Sequence, residues 1–299
     1  GPENLWQNCG LKLGSVVTMR QINNILYKEL NKISQEEYAS LDKYLNENSK
    51  IALPLQQPTA TKKSQELPFS ERAKQCQNTF GKELFSLVET KQTNLSVAVD
   101  VCSMSELLQI AEQVGPEICL LKTHVDMIQD FNAEQLAQLC NLAQKHKFYI
   151  FEDRKFADIG KVAKEQYEGG IYKISQWSHL TNAHMVSGPA IVKALREGVP
   201  KAIEDPRGLL LIAQMSSEGA LKLDLEQVWK VARENADLVC GFICQEQFTR
   251  NLQESERCHQ FLYMTPGVNM QDSGDRLGQQ YNTPSSVVQK GADVIIVGT

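Results

Sequence analysis

From Thr93 onward the chain alternates short, nearly continuous apolar runs with segments of helical periodicity. The runs are LSVAVD (95–100), ICLLKTH (118–124), FYIFED (148–153), LTNAHMV (180–186), LLLIAQM (209–215), LVCGFIC (238–244), FLYMTPG (261–267) and DVIIVG (293–298). Apolar runs of this length, without strict alternation, predict parallel strands covered on both faces. The intervening segments carry helix signals. Ser103 and Glu106 form a capping box, Leu107, Leu108, Ile110, Ala111 and Val114 line one face, and Gly115 is the expected stop. Another helix is expected from near Asn132, burying Leu136, Leu139, Cys140 and Ala143. Strand–helix repeats of this kind predict an α/β fold, a (β/α)8 barrel. An open doubly wound sheet is the alternative.

The pattern upstream is different. An apolar stretch from Leu11 to Met19 precedes Ile22, Ile25, Leu26, Leu30 and Ile33 at helical spacing, and Ser34 with Glu37 opens a short helix through Tyr38, Leu41 and Leu45. One strand and two helices are too little for an ordinary domain, so residues 1–50 read as the end of a larger one. Residues 51–69 lie in NSKIALPLQQPTATKKSQELPF (48–69), which has three prolines and no periodicity and reads as a linker. Ser70 is expected to open a single helix carrying Ala73, Cys76, Phe80, Leu84, Leu87 and Val88, and with it the barrel domain, 70–299.

Composition narrows the function classes. The chain has 299 residues, 42% of them hydrophobic, enough for one large domain and an appendage. A net charge of −5 gives no basic face for nucleic acid. No run approaches the ~20 apolar residues of a membrane span, and no signal pattern opens the chain, so a cytoplasmic protein is expected. None of the eight cysteines has C-x-x-C spacing, so packed thiols are expected rather than a metal or redox centre.

A barrel places its chemistry at the C-terminal ends of its strands. There the first run ends in Asp100, the second in Lys122 and His124, and the third enters Asp153-Arg154-Lys155-Phe156-Ala157-Asp158. Side chains two apart share a strand face, so Lys122 pairs with His124 and Asp153 with Lys155. Lys122, Asp153, Lys155 and Asp158 supply two charges of each sign, and such an array tolerates partial desolvation because each member has a partner. A salt-bridge belt at the barrel rim, with His124 a packed core histidine, is the reading without catalysis.

At this point the residues resemble a family. LLKTHVD (120–126), FEDRKFADIG (151–160), NAH (182–184), MSSEG (215–219), MTPGV (264–268) and LGQQYNTP (277–284) closely resemble the signature segments of orotidine 5′-monophosphate decarboxylases, from about Ser70 to Thr299. Residues 1–50 resemble the C-terminal end of orotate phosphoribosyltransferase as fused in bifunctional UMP synthases. The transferase's diphosphate-binding loop is not in the chain, so no transferase activity is expected.

The resemblance implies cofactor-independent conversion of orotidylate to UMP, the last step of de novo pyrimidine biosynthesis, in a homodimer. Lys122, Asp153, Lys155 and Asp158 would be the catalytic array, with Asp158 acting in the partner subunit's site. Asp100 and His124 would contact ribose, Ser216 and Gln279 the pyrimidine, and Pro266 would line the base pocket. Gln279 and Tyr281 would reach toward the phosphate. Four positions depart from the family pattern. Ala98 stands where a serine often touches the pyrimidine, and Lys161-Val162 replaces Asn-Thr after the catalytic motif. Thr299 stands where an arginine grips the phosphate, with the final helix missing. A lost hydroxyl contact is worth about 0.5–1.5 kcal/mol and a lost phosphate clamp more, so reduced turnover is expected, or, as the alternative, an inactive form that binds nucleotide or dimerises.

Overall fold

The computed structural model describes residues 67–250, 252–253, 258–269 and 282–298, and the single helical positions Gln35, Ala39 and Lys43. The remainder of segment 1–50, residues 51–66, Gln279, Tyr281 and Thr299 lie outside the described residues.

Eight strands form: β1 Leu95–Val99, β2 Leu120–Thr123, β3 Tyr149–Phe156, β4 Leu180–His184, β5 Gly208–Ile212, β6 Val239–Ile243, β7 Leu262–Val268 and β8 Val294–Val297. Each pairs in parallel with the next, and β8 pairs with β1 through Leu95↔Ile295 and Val97↔Val297. The sheet is therefore closed, which decides against the open doubly wound alternative. Helices α1 (Phe69–Gln75) and α2 (Thr79–Lys91) precede the barrel. Around it run α3 (Met104–Val114), α4 (Ala133–His146), α5 (Gly160–Glu168), α6 (Ala190–Glu197), α7 (Leu225–Glu234) and α8 (Pro284–Gln289). Between β6 and β7 no helix occurs among the described residues.

Strand alternation sorts the apolar residues into two layers. Leu121, Ile150, Leu209, Leu211, Tyr263 and Ile295 pack outward with helix residues such as Leu107, Leu139, Leu195 and Trp229. Leu120, Phe151, Leu180, Leu210, Leu262 and Val294 pack inward, joined by Phe80, Leu84, Phe85 and Val88 of α2. The same parity turns Lys122, Asp153, Asn182 and Pro266 toward the barrel axis, because they lie two or four residues from Leu120, Phe151, Leu180 and Leu262.

The single helix expected from Ser70 is instead two. The first begins at Phe69 after Pro68, and the chain turns extended at Cys76. Asn78 then caps α2, its Oδ1 accepting from Gly81 N at 2.7 Å, while its Nδ2 donates to the carbonyls of Arg207, Asp237 and Leu238. One polar side chain thus ends the periodic run and ties α2 beneath the barrel. The fit there is tight: a Cβ on Gly208 would meet the Phe80 ring at 2.5 Å and Cys240 Sγ at 2.8 Å. Helix α1 is anchored by Arg72, which is 4% exposed and makes a bidentate pair with Asp293 at the entry to β8.

The other helix ends follow the sequence more closely. Ser103 accepts from Glu106 N and Asn132 from Gln135 N. Gly115 does end α3, but in a right-handed conformation, φ −49° and ψ −44°, leading into a 3-10 turn. Space rather than a left-handed cap explains the glycine, since a Cβ would sit 2.9 Å from the His146 ring. Cys119, Cys240 and Cys244 are buried free thiols, as expected of packed cysteines, while Cys102 is exposed.

Candidate active site

The reactive strand ends converge at one mouth. Lys122 Nζ lies 3.1 Å from Asp100 Oδ1 and 3.2 Å from Asp153 Oδ2, linking β1, β2 and β3. Lys155 Nζ lies 2.7 Å from Asp153 Oδ1, and His124 Nε2 lies 3.3 Å from Asp153 Oδ2. The charges alternate along Asp100, Lys122, Asp153 and Lys155. Lys122 and Asp153 have side chains only 7% and 12% exposed, so the centre of the array is largely out of water, while Lys155 is 33% exposed. Burial by itself would raise the Asp153 carboxyl. The hydrogen bond from His124 and the charges of Lys122 and Lys155 outweigh it and hold Asp153 well below the usual carboxylate range. An anion is thus fixed beside two cations before any ligand enters.

Local backbone geometry creates this arrangement. The register between β3 and β4 shifts between Glu152 and Phe156, and inside that irregularity Lys155 has φ +53°. A left-handed lysine inside a bulge is unusual, and bulges near strand ends re-aim side chains. Asn182, fully buried on β4, supports it: its Oδ1 accepts from Lys155 N at 2.7 Å and its Nδ2 donates to Asp153 Oδ1 at 2.7 Å. Sequence reasoning placed Asn182 in the NAH segment but gave it no role. The available signal was its position two residues after inward Leu180. His184, two residues further, is half-buried; burial lowers its basicity and Lys155 adds to the effect.

Asp158 is separate. It is exposed, its Oδ1 accepts from Ile159 N at 2.8 Å, and among the described residues it forms no ion pair with the array. Ser216 lies half-buried after β5 and Pro266 half-buried within β7, where the register shifts between Thr265 and Val268. Ala98 is half-buried on β1, in register with Lys122. Lys161 and Val162 are exposed near the start of α5. No group of metal-ligating side chains occurs among the described residues.

A cleft of about 790 Å³ lies at the opposite, N-terminal end of the barrel, beside Asn78, Arg196, Lys201, Arg207 and Asp237. Its principal cations are already engaged: Arg196 pairs with Asp237, and Arg207 donates to the carbonyls of Ser175, Gln176, Asp205 and Pro206. That end of a barrel serves stability, and the chemistry sits at the other mouth.

Comparison with known proteins gives the family. The sequence profile of the Orotidine 5′-phosphate decarboxylase / HUMPS family matches residues 93–299. Uridine 5′-monophosphate synthase of Naegleria gruberi is 49% identical over 288 residues, which are 94% of this chain and 56% of that protein. The chain thus spans little more than half the length of that relative. Orotidine 5′-phosphate decarboxylase of Rhizopus oryzae is 53% identical over 77% of this chain and 85% of its own length. Among solved structures, a putative orotidine 5′-phosphate decarboxylase from Streptomyces avermitilis superposes with a TM-score of 0.51 at 16% identity, covering 74% of this chain and 86% of that one. That likeness is one of fold.

Proposed function

The chain belongs to the Orotidine 5′-phosphate decarboxylase / HUMPS family, and from that premise we propose that it removes CO2 from orotidine 5′-monophosphate to give UMP without metal or cofactor. The observation that carries the reading is the alternating array Asp100, Lys122, Asp153 and Lys155, with Asp153 held ionised.

The reaction breaks the bond between C6 and the carboxylate. CO2 leaves, and the electron pair stays on C6 in an orbital the ring cannot delocalise. A fixed ammonium beside C6 stabilises that charge without reorganisation, and Lys155 would supply it. The Lys155 proton then passes to C6, and the neutral amine regains a proton from solvent. Asp153 faces the departing carboxylate and favours its loss, while Lys122 keeps Asp153 charged. Asp100 and His124 would contact ribose at the edge of the array, Ser216 and Gln279 the pyrimidine with Pro266 lining its pocket, and Gln279 and Tyr281 would reach toward the phosphate. The reading without activity, a nucleotide binder or dimeriser, is not favoured, because the in-chain array is complete.

The assembly proposed is a homodimer in the cytoplasm. Exposed Asp158 is followed by Ile159 and Val162, which are 52% and 49% exposed. Covering them with a second copy would bury apolar surface and carry Asp158 toward the partner's array. Residues 1–50 are proposed as the end of a phosphoribosyltransferase domain, supported by the reach of the Naegleria match over 94% of the chain.

The test follows orotidylate loss by absorbance, with and without EDTA. Turnover insensitive to EDTA and abolished in Lys155→Ala is expected; no turnover above buffer, or turnover that needs Mg2+, refutes the proposal. Mixing Lys155→Ala with Asp158→Ala, each inactive alone, is expected to restore about a quarter of parental activity through hybrid dimers. No recovery after confirmed subunit exchange refutes the shared site.

A further inference from the structure

Glu152 precedes Asp153 on β3, and strand alternation turns it the other way, into the layer between the sheet and the outer helices. A carboxyl there is anomalous: the layer is built mostly of apolar side chains, and the residue is 0% exposed. Its contacts explain it. Thr123 Oγ1 lies 2.7 Å from Glu152 Oε2, and Val125 N donates to Oε1 at 3.0 Å and Oε2 at 3.1 Å. Thr123 and Val125 flank His124, and Lys122 precedes them. Glu152 is itself held on the other side, where its N–H donates to Ser178 Oγ at 3.2 Å and Thr181 Oγ1 donates to its carbonyl at 3.0 Å. We propose that Glu152 is a positioning residue: from the outer face of the barrel wall it clamps Thr123 and Val125, and so fixes the backbone that aims Lys122 and His124 at Asp153.

The inference rests on the decarboxylase reading and adds a residue that never touches substrate. The form that does the clamping follows from the surroundings. Burial raises the Glu152 carboxyl to about 8; hydrogen bonds from Thr123 and Val125 oppose this, and nearby Asp126 and Asp153 add to it. Thr123 Oγ1 donates to Oε2 and Val125 N to Oε1; once the carboxyl carries a proton on Oε2 the bond to Thr123 reverses, and the Thr123 hydroxyl donates instead to Phe151 O at 3.5 Å. A glutamine reproduces that pattern; an alanine leaves the Val125 N–H and the Thr123 hydroxyl without it.

The experiment compares Glu152→Gln, Glu152→Ala and Thr123→Val in the full chain by kcat, KM, melting temperature and amide exchange at Val125. Displacing charged groups by an ångström costs about 10- to 100-fold in rate. Glu152→Ala is therefore expected to lose about that factor in kcat, with a smaller change in KM, and to exchange Val125 faster. Glu152→Gln is expected to stay within about threefold of the parent, and Thr123→Val to fall between. The proposal is overturned if Glu152→Ala keeps parental kcat per folded molecule, which leaves a structural role only. It is equally overturned if Glu152→Gln is as impaired as Glu152→Ala. A parent that does not turn over orotidylate refutes the decarboxylase reading instead, and the same ranking is then read in calorimetric affinity for UMP, equal affinities overturning the clamp.

Discussion

Replacing Arg72 by methionine tests how the helices before β1 are fixed to the barrel. The guanidinium makes a bidentate pair with Asp293, donates from Nε to His259 O at 2.8 Å and from Nη2 to Phe261 O at 2.6 Å, and lies 4.5 Å from the Phe85 ring centroid. Methionine fills much of the volume and keeps the contact with Phe85, but it leaves Asp293, whose side chain is 6% exposed, without its cation. Tyr263 N, at 2.9 Å from Asp293 Oδ2, does not replace a charge. Breaking a buried pair from one side costs about 3–5 kcal/mol. For a domain of this size each kcal/mol moves the melting temperature by about 2–4 °C, so the loss is expected at about 6–20 °C. The assay is thermal unfolding by circular dichroism, with urea titration as a check on reversibility. Adding Asp293→Asn removes the stranded charge while keeping an acceptor for Tyr263 N. The double variant is therefore expected to be about 2 kcal/mol better than the sum of the singles. A single-variant loss below about 4 °C, or strict additivity, refutes the reasoning. Turnover per folded molecule is expected to be unchanged, because the pair lies at the end of the barrel away from the charged array.

Ala98→Ser restores a hydroxyl on the inward face beside Lys122, and a gain of about 0.5–1.5 kcal/mol in kcat/KM is expected, read by steady-state kinetics; no gain places the hydroxyl out of reach of the base. Gly208→Ala drives a Cβ into the Phe80 ring and is expected to cost about 1–3 kcal/mol in urea unfolding, with Phe80→Leu recovering part of it. Asp153 is held below its ordinary value, so its stabilisation is complete above an unfolded pKa of about 3.9 and is lost as pH falls from there toward the folded value. Asp153→Asn is accordingly expected to flatten the fall in melting temperature at acid pH. Glu152 has the opposite sign: its folded value is about 8, so its contribution falls as pH rises from about 4.3 toward 8. The melting temperature of Glu152→Gln relative to the parent is expected to rise across that interval, and a constant difference would show Glu152 ionised in the folded state.

The chain by itself settled the number, order and approximate limits of the strands, because a strand covered on both faces must be apolar nearly throughout. It also exposed most of the charged array, since Asp100, Lys122, His124, Asp153 and Lys155 interrupt or end those apolar runs. Other features needed the closed barrel. The sequence marks Glu152 and Asp153 as adjacent acids; only the packing of Phe151 against α2 shows that Asp153 faces the axis and Glu152 the helices. Asp100 joined the array through Lys122 only when β1 and β2 lay side by side in register. Asn182 was legible as part of a motif but not as a support, because its partners are on β3, 27 and 29 residues away in the chain. The left-handed backbone at Lys155 has no local signature, since lysine does not favour it and the bond from Asn182 supports it from another strand. Likewise the run from Ser70 reads as one helix until Asn78 finds the carbonyls of Arg207, Asp237 and Leu238 beneath the barrel. Local pattern fixes which residues can be buried, and long-range contact decides which face each one takes and what it meets there.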